Sequence, residues 1–216
     1  FSIDTECDMP KWKPKLPVTI NNIKGLPRLH DLFDKCEIRP TYLVTHPIAK
    51  KSLGIDTLKT LYRRNNCEIG AHFHPWTTEP LTNKERMIAN FPFQLDPNVH
   101  KTKLKNLTKS IKSSFNLNPK SYRAGRFGFD DVGLKIIEDL GYLIDTSVTP
   151  LTNWGTDFRS APLYPYYLDY NNLSMSGKSK ILEVPVTIDA FVPKFLRKLY
   201  IPSSEKIKGG LNYLGL

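Results

Sequence analysis

Cysteine is scarce in this 216-residue chain, and the three present, Cys7, Cys36 and Cys67, stand far apart in an odd count. That excludes a disulfide framework as the organising device, and the absence of C-x-x-C pairs excludes a zinc ribbon. Long apolar runs are also missing: no stretch approaches the roughly 20 residues a bilayer span requires. Acidic residues are outnumbered, 21 against 31 Lys plus Arg, for a formal charge of +10. A basic balance attracts nucleic acid, acidic membranes or anionic polymers. No nucleic-acid motif accompanies it, and aromatics do not alternate with the lysines. Lys101, Lys103, Lys105, Lys109 and Lys112 recur instead as the solvated face of a helix would. Repeats and low-complexity tracts are absent as well. The chain opens inside a strand pattern without a charged-then-apolar leader, so Phe1 is expected not to be the native start.

What is present is an alternation of short β-prone runs with helical patterns. Strands are expected at Phe1 to Thr5, Thr41 to Thr45, Glu68 to Phe73, Tyr122 to Phe127, Tyr142 to Val148 and Ile181 to Ile188. Helices are expected at Pro27 to Cys36, after a cap at Asp56, near Val99 to Phe115, and at Val132 to Leu140 behind Asp130 or Asp131. Gly141 follows the last of these as a C′ glycine should. With hydrophobic residues at 40%, the length suits one sizeable α/β domain over residues 1–216. Strand–helix repetition implies a parallel sheet or barrel, with chemistry at the C-terminal strand ends. The stretch Pro150 to Ser179 breaks the rhythm and reads as a rim insertion, with a hairpin expected at Tyr164 to Tyr170.

Two strand ends carry the chemistry. Side chains at i and i+2 of a strand share a face, so Asp4 and Glu6 present two carboxylates, and His72 and His74 two imidazoles. That mixture suits a catalytic zinc-type site, in which three protein ligands leave a position for water. The sequence therefore points to a metal-dependent hydrolase. Cys7, beside the acidic pair, is a further ligand option set against the plainer reading of a buried thiol.

In this order the motifs resemble the polysaccharide deacetylases, carbohydrate esterase family 4 with its nodulation-type domain. The branch most resembled is the polysaccharide deacetylase of lipopolysaccharide gene clusters. The resemblance runs from about Phe1 to Ile188 and implies a distorted (β/α)7 TIM-like barrel. By it, Phe1-Ser2-Ile3-Asp4-Thr5-Glu6 supplies the base Asp4. Thr5 stands where the family has a second aspartate, so Glu6 becomes the candidate metal carboxylate, with Asp4 the other choice. His72 matches the first metal histidine, Trp76 occupies the place of the second, and His74 substitutes for it. Tyr122-Arg123-Ala124-Gly125-Arg126 supplies Arg123 to orient the base, and Asp145-Thr146-Ser147 supplies an aspartate that sets the arginine. Trp76 and Arg126 are implied substrate contacts. Tyr164, Tyr166, Tyr167 and Tyr170 divide between sugar stacking and core packing.

The family's C-terminal acid histidine has no counterpart, since no histidine follows His100. The expectation is a barrel short of its last unit, Gly209 to Leu216 ending without another strand and helix. His46 is the alternative acid. The implied activity is hydrolysis of a carbon–nitrogen bond other than a peptide. N- or O-acetyl groups would be removed from a polysaccharide or glycolipid with one divalent ion, zinc foremost. A catalytically inactive carbohydrate-binding domain and another metal-dependent amidohydrolase or phosphoesterase remain open. The implied location is cytoplasmic or envelope-associated, with no nucleic-acid partner.

Overall fold

The structure is a computed structural model, and it describes residues 1–9, 17–64, 66–81 and 91–188. The expected absence of a further unit at Gly209 to Leu216 lies outside these residues. Among the described residues seven strands form one sheet in the order β1-β2-β3-β4-β5-β7-β6. They are β1 Ser2–Thr5, β2 Thr41–Val44, β3 Glu68–Phe73, β4 Ser121–Ala124, β5 Ile144–Asp145, β6 Tyr166–Tyr167 and β7 Leu182–Glu183. Every pairing is parallel except β6 with β7. The helices are α1 Leu26–Lys35, α2 His46–Lys50, α3 Ser52–Tyr62, α4 Pro97–Phe115 and α5 Asp131–Asp139. This is the expected α/β architecture with a parallel sheet. Among the described residues β1 and β6 remain unpaired edges, so the sheet is not closed.

The helices that line up with expectation do so for local reasons. Asp96 accepts hydrogen bonds from the backbone N–H groups of Asn98 and Val99 and starts α4, with Pro97 in its first turn. Asn116, at φ 54°, ends it in the left-handed conformation that asparagine tolerates. Asp130 caps α5 through the Gly133 N–H, and Gly141 at φ 82° follows it. Leu104, Leu107 and Ile111 of α4 pack with Tyr42, Val44, Ile69 and Phe73 of the sheet to form the core.

Several expectations need correction. α3 begins at Ser52, which leaves Asp56 inside it rather than capping it. His46-Pro47 ends β2 but also opens the short helix α2. The later strands are much shorter than their β-prone runs, because β5 and β7 pair over only two residues before turning into loops. Residues 125–127 turn sharply rather than extend β4. Tyr166 and Tyr167 pair with β7 rather than in a local hairpin; the local antiparallel contact is the Leu168–Ser176 bridge. Lys103 is no part of a solvated face: it is fully buried, while Lys101, Lys105, Lys109 and Lys112 are exposed.

Candidate metal and catalytic site

Register decides which side chains meet. Thr5, Val44, Ala71, Tyr122, Asp145 and Glu183 form one continuous row across the sheet. Neighbours in a parallel row point to the same side, and the next row points to the other. His72 and Arg123 are register partners one step beyond that row, so they share a face with Asp4 and Gly70. Glu6 and His74 continue this face past the strand ends.

On that face Glu6, His72 and His74 each offer a donor atom within 4.8 Å of the others. His74 Nε2 lies 2.8 Å from Glu6 Oε2, and His72 Nε2 lies 4.0 Å from the same oxygen. Despite that proximity, neither ring nitrogen of His74 nor Glu6 Oε2 is in a hydrogen bond, although all three atoms are buried. Buried polar atoms ordinarily find partners, and exceptions mark places where an ion or water belongs. His72 is oriented by its own strand neighbour. Its Nδ1 is 3.1 Å from the Arg123 carbonyl oxygen, which only accepts, so Nδ1 carries the proton and Nε2 presents its lone pair to the carboxylates. Burial lowers the basicity of both imidazoles and pushes His74 down to about 3, so both rings are neutral at pH 7 and suited to bind a cation.

Asp4 stands beside this group. Arg123 Nη1 donates to Asp4 Oδ1 at 2.7 Å, while Oδ2 lies 3.9 Å from His72 Nε2. The guanidinium is itself clamped, donating to the Thr146 carbonyl (2.9 Å), Thr146 Oγ1 (3.1 Å) and Ser2 Oγ (2.5 Å). Burial raises the Asp4 carboxyl, but His72 and Arg123 outweigh it and hold it below the usual carboxylate range. Glu6 goes the other way, raised by burial with the Asp4 charge adding to it.

A cleft of about 480 Å³ opens over these groups, walled by Met9, Trp76, Phe91, Arg126, Phe127 and Trp154. Trp76 packs against His74 (ring centroids 4.1 Å apart), and Phe127 against Trp154 (5.2 Å). Lys103 fixes the loop that carries Trp76, its ammonium donating to the carbonyls of Pro75, Thr78 and Pro80. Gly125 lets the end of β4 approach: a Cβ there would sit 2.4 Å from His74 Nδ1 and 2.6 Å from the Phe73 carbonyl oxygen.

With the site described, its relatives among solved structures can be compared. A candidate glycoside hydrolase/deacetylase of Parabacteroides distasonis superposes with a TM-score of 0.60, at 13% identity, over 85% of this chain and 43% of that one. A candidate polysaccharide deacetylase of Mycobacterium smegmatis gives 0.53, at 18% identity, over 79% and 51%. The chain shares the polysaccharide deacetylase fold. The allantoinase PuuE carries the same fold, with a TM-score of 0.51 at 17% identity over 76% of this chain and 44% of that one. The chain thus spans about half or less of the length of these structures. No protein-family model and no curated protein sequence matches it.

The deacetylase fold brings Asp4, Glu6, His72, His74, Trp76, Arg123 and Arg126 to one place. It sets Asp145 on the opposite face of the sheet. The Asp145 carboxylate accepts from the N–H (3.1 Å) and Oγ (2.7 Å) of Ser147, whose Oγ in turn accepts from the Ala124 N–H. The carboxylate makes no hydrogen bond to Arg123, and it acts on that group through the backbone at Thr146 and through the attraction of its charge for the guanidinium. Cys7 is buried, is not among the clustered donors, and has its thiol pushed up to about 11 by burial and the Glu6 charge. His46 is buried at the start of α2 and does not line the cleft; His100 stacks on Phe73 in the interior. Nor do the four tyrosines line it. Tyr166 and Tyr170 are tied to the Leu173 carbonyl and to Glu138, and Tyr164 and Tyr167 are exposed elsewhere. The sequence reading missed Phe91, Phe127 and Trp154 as walls, and nothing in their local patterns marks them.

Proposed function

We propose that this chain is a metal-dependent hydrolase that removes acetyl groups from an amino sugar of a polysaccharide or lipopolysaccharide-type glycolipid. Glu6, His72 and His74 would hold one divalent ion. Their mixed nitrogen and oxygen donors suit zinc, and three protein ligands leave room for water and substrate. The observation that carries this reading is the convergence of Glu6, His72 and His74, with Glu6 Oε2 and both His74 ring nitrogens buried and unpartnered, beside a carboxylate kept ionised by Arg123.

When bound, such an ion supplies Lewis-acid polarisation of the acetamide carbonyl and acidifies water. The chain's residues do the rest. Arg123 occupies Asp4 Oδ1, which leaves Oδ2 to take the proton from the attacking water. The water oxygen bonds to the carbonyl carbon as the carbon–nitrogen bond breaks. Among the described residues the other titratable groups of the cleft would be engaged, His72 Nδ1 with a carbonyl and His74 and Glu6 with the ion. Asp4 therefore returns its proton to the departing amine, giving acetate and a free amino sugar. Trp76, Phe91, Phe127 and Trp154 offer apolar faces for a sugar ring. A fold that also serves an allantoinase does not choose the amide by itself, and the aromatic walls favour the sugar.

The test is metal content and acetate release on the full chain. The parent should hold close to one zinc-like ion, and the His72→Ala/His74→Ala variant none. Asp4→Asn should keep the ion and lose acetate release from acetamido-sugar oligomers. A folded parent without an ion or acetate release defeats the reading and leaves a carbohydrate-binding domain in its place.

A further inference from the structure

Asp4 is balanced by Arg123, and Glu6 points its free oxygen to the two histidines. Among the described residues Arg126 is the other charged group that lines the cleft. It is exposed and enters no ion pair among the described residues, Glu6 being close enough only to feel its field. Its guanidinium lies over the Trp76 ring, 5.2 Å from the centroid. The attraction of a cation to the ring holds the group at the cleft wall without using its N–H donors, which make no hydrogen bond among the described residues, and a guanidinium can grip a carboxylate or phosphate with two parallel bonds.

The backbone is bent to put it there. Arg126 and Phe127 are consecutive non-glycine residues at φ 54° and 57°, in the left-handed region that bulky side chains avoid. Strain of this kind persists where the surrounding structure enforces it, and it clusters at ligand-binding sites. Here the turn follows Gly125, pressed against His74, and its two side chains become adjacent parts of the cleft wall. Phe127 forms one wall with Trp154, and Arg126 stands over Trp76 on the other.

We propose that the cleft is built for an acetamido sugar bearing a negatively charged substituent, a uronate carboxylate or a phosphate ester, and that Arg126 reads that charge. This rests on the deacetylase reading of the same site.

The test measures binding to the metal-stripped full chain by calorimetry, so that no turnover interferes. Three probes serve: a neutral N-acetylglucosamine oligomer, an N-acetylated aminouronate oligomer of equal length, and N-acetylglucosamine phosphate beside its unphosphorylated sugar. The parent should bind a charged probe about tenfold tighter than its neutral counterpart, as a charge-assisted bidentate contact implies. The arm with the larger ratio separates carboxylate from phosphate. Because the +10 chain attracts any anion, the variants carry the decision. Arg126→Met should bring the ratio within about threefold, and Arg126→Lys should restore part of it. Both are side chains with the same left-handed strain as the parent, so stability is little altered. Equal binding of charged and neutral probes, a preference that survives Arg126→Met, or no binding of any probe overturns the proposal. Acetate release by the zinc-loaded chain distinguishes the two readings. Equal release from neutral and charged sugars leaves the deacetylase and removes the charge reader. An Arg126-dependent preference without release does the reverse.

Discussion

Arg123→Met removes a guanidinium that makes four hydrogen bonds, to Asp4, to Ser2 and twice to Thr146. Methionine fills part of the volume but leaves the Asp4 carboxylate and the Thr146 carbonyl without their donors. Removing one partner of a buried ion pair costs about 3–5 kcal/mol. The Asp4 side chain keeps 30% of its surface, so water recovers part of that loss and the lower end, about 3 kcal/mol, applies. For a chain of this size each 1 kcal/mol moves Tm by about 2–4 °C, so the variant should melt about 6–12 °C lower. The pH dependence has a definite sign. A carboxyl lowered in the folded state stabilises the fold above its unfolded titration point and loses that contribution as pH falls through the folded one. Without Arg123, burial weighs more heavily on Asp4 and the group titrates at higher pH. The part of the acid-induced loss of stability that Asp4 supplies should therefore shrink or vanish in the variant, while the acid limb of kcat/KM for acetate release should move to higher pH. Calorimetric melting from about pH 3 to pH 8 spans both carboxylate and imidazole titrations. A variant that melts with the parent and keeps its acid limb in place would refute the pairing as the source of Asp4's ionisation.

Two further outcomes follow from close contacts. Gly125→Ala drives a Cβ against the His74 ring and the Phe73 carbonyl, so metal affinity measured by competition with a chelator should fall about 10–100-fold, the range for disturbed ligand support. Lys103→Met strips the carbonyls of Pro75, Thr78 and Pro80 of a shared donor and should cost at least about 2 kcal/mol in urea unfolding, with faster proteolysis after His74; an unchanged midpoint would count against the lysine as the anchor of that loop.

The His72/His74 pair was legible in sequence because strand alternation carries one residue past the end of β3, so that His74 keeps the face of His72. Asp4 and Glu6 followed from the same rule at the end of β1, and the α4 and α5 caps from short-range hydrogen bonding. Elements that depend on the tertiary partner were not legible. Lys103 has the spacing of a solvated lysine, yet the carbonyls that hold it lie in a loop about 25 residues earlier in the chain. The turn at Arg126 and Phe127 carries no glycine where φ is positive, so local propensity reads it as a continuation of β4. The tyrosines of the rim drew attention by their density. The aromatic walls come instead from single residues, Phe91, Phe127 and Trp154, that only the fold assembles.

Register also explains a division of labour between the two faces of the sheet. Asp145 and Glu183 are paired residues of β5 and β7 on the face opposite the cleft, and both are fully buried. Two adjacent carboxyls in a water-free interior do not both ionise. Burial raises both, and Glu183 most strongly, its proton held by the neighbouring Asp145 charge. Glu183 also accepts from the Val148 N–H, and Asp145 holds Ser147, so the pair fixes the backbone on both sides of Thr146. Thr146 is where Arg123 is clamped, and Arg123 is what aims Asp4. The order of motifs in the sequence placed Asp145 with the catalytic group. The parity of a parallel sheet places it one layer behind, where it supports the arginine through the strand end rather than by touching it.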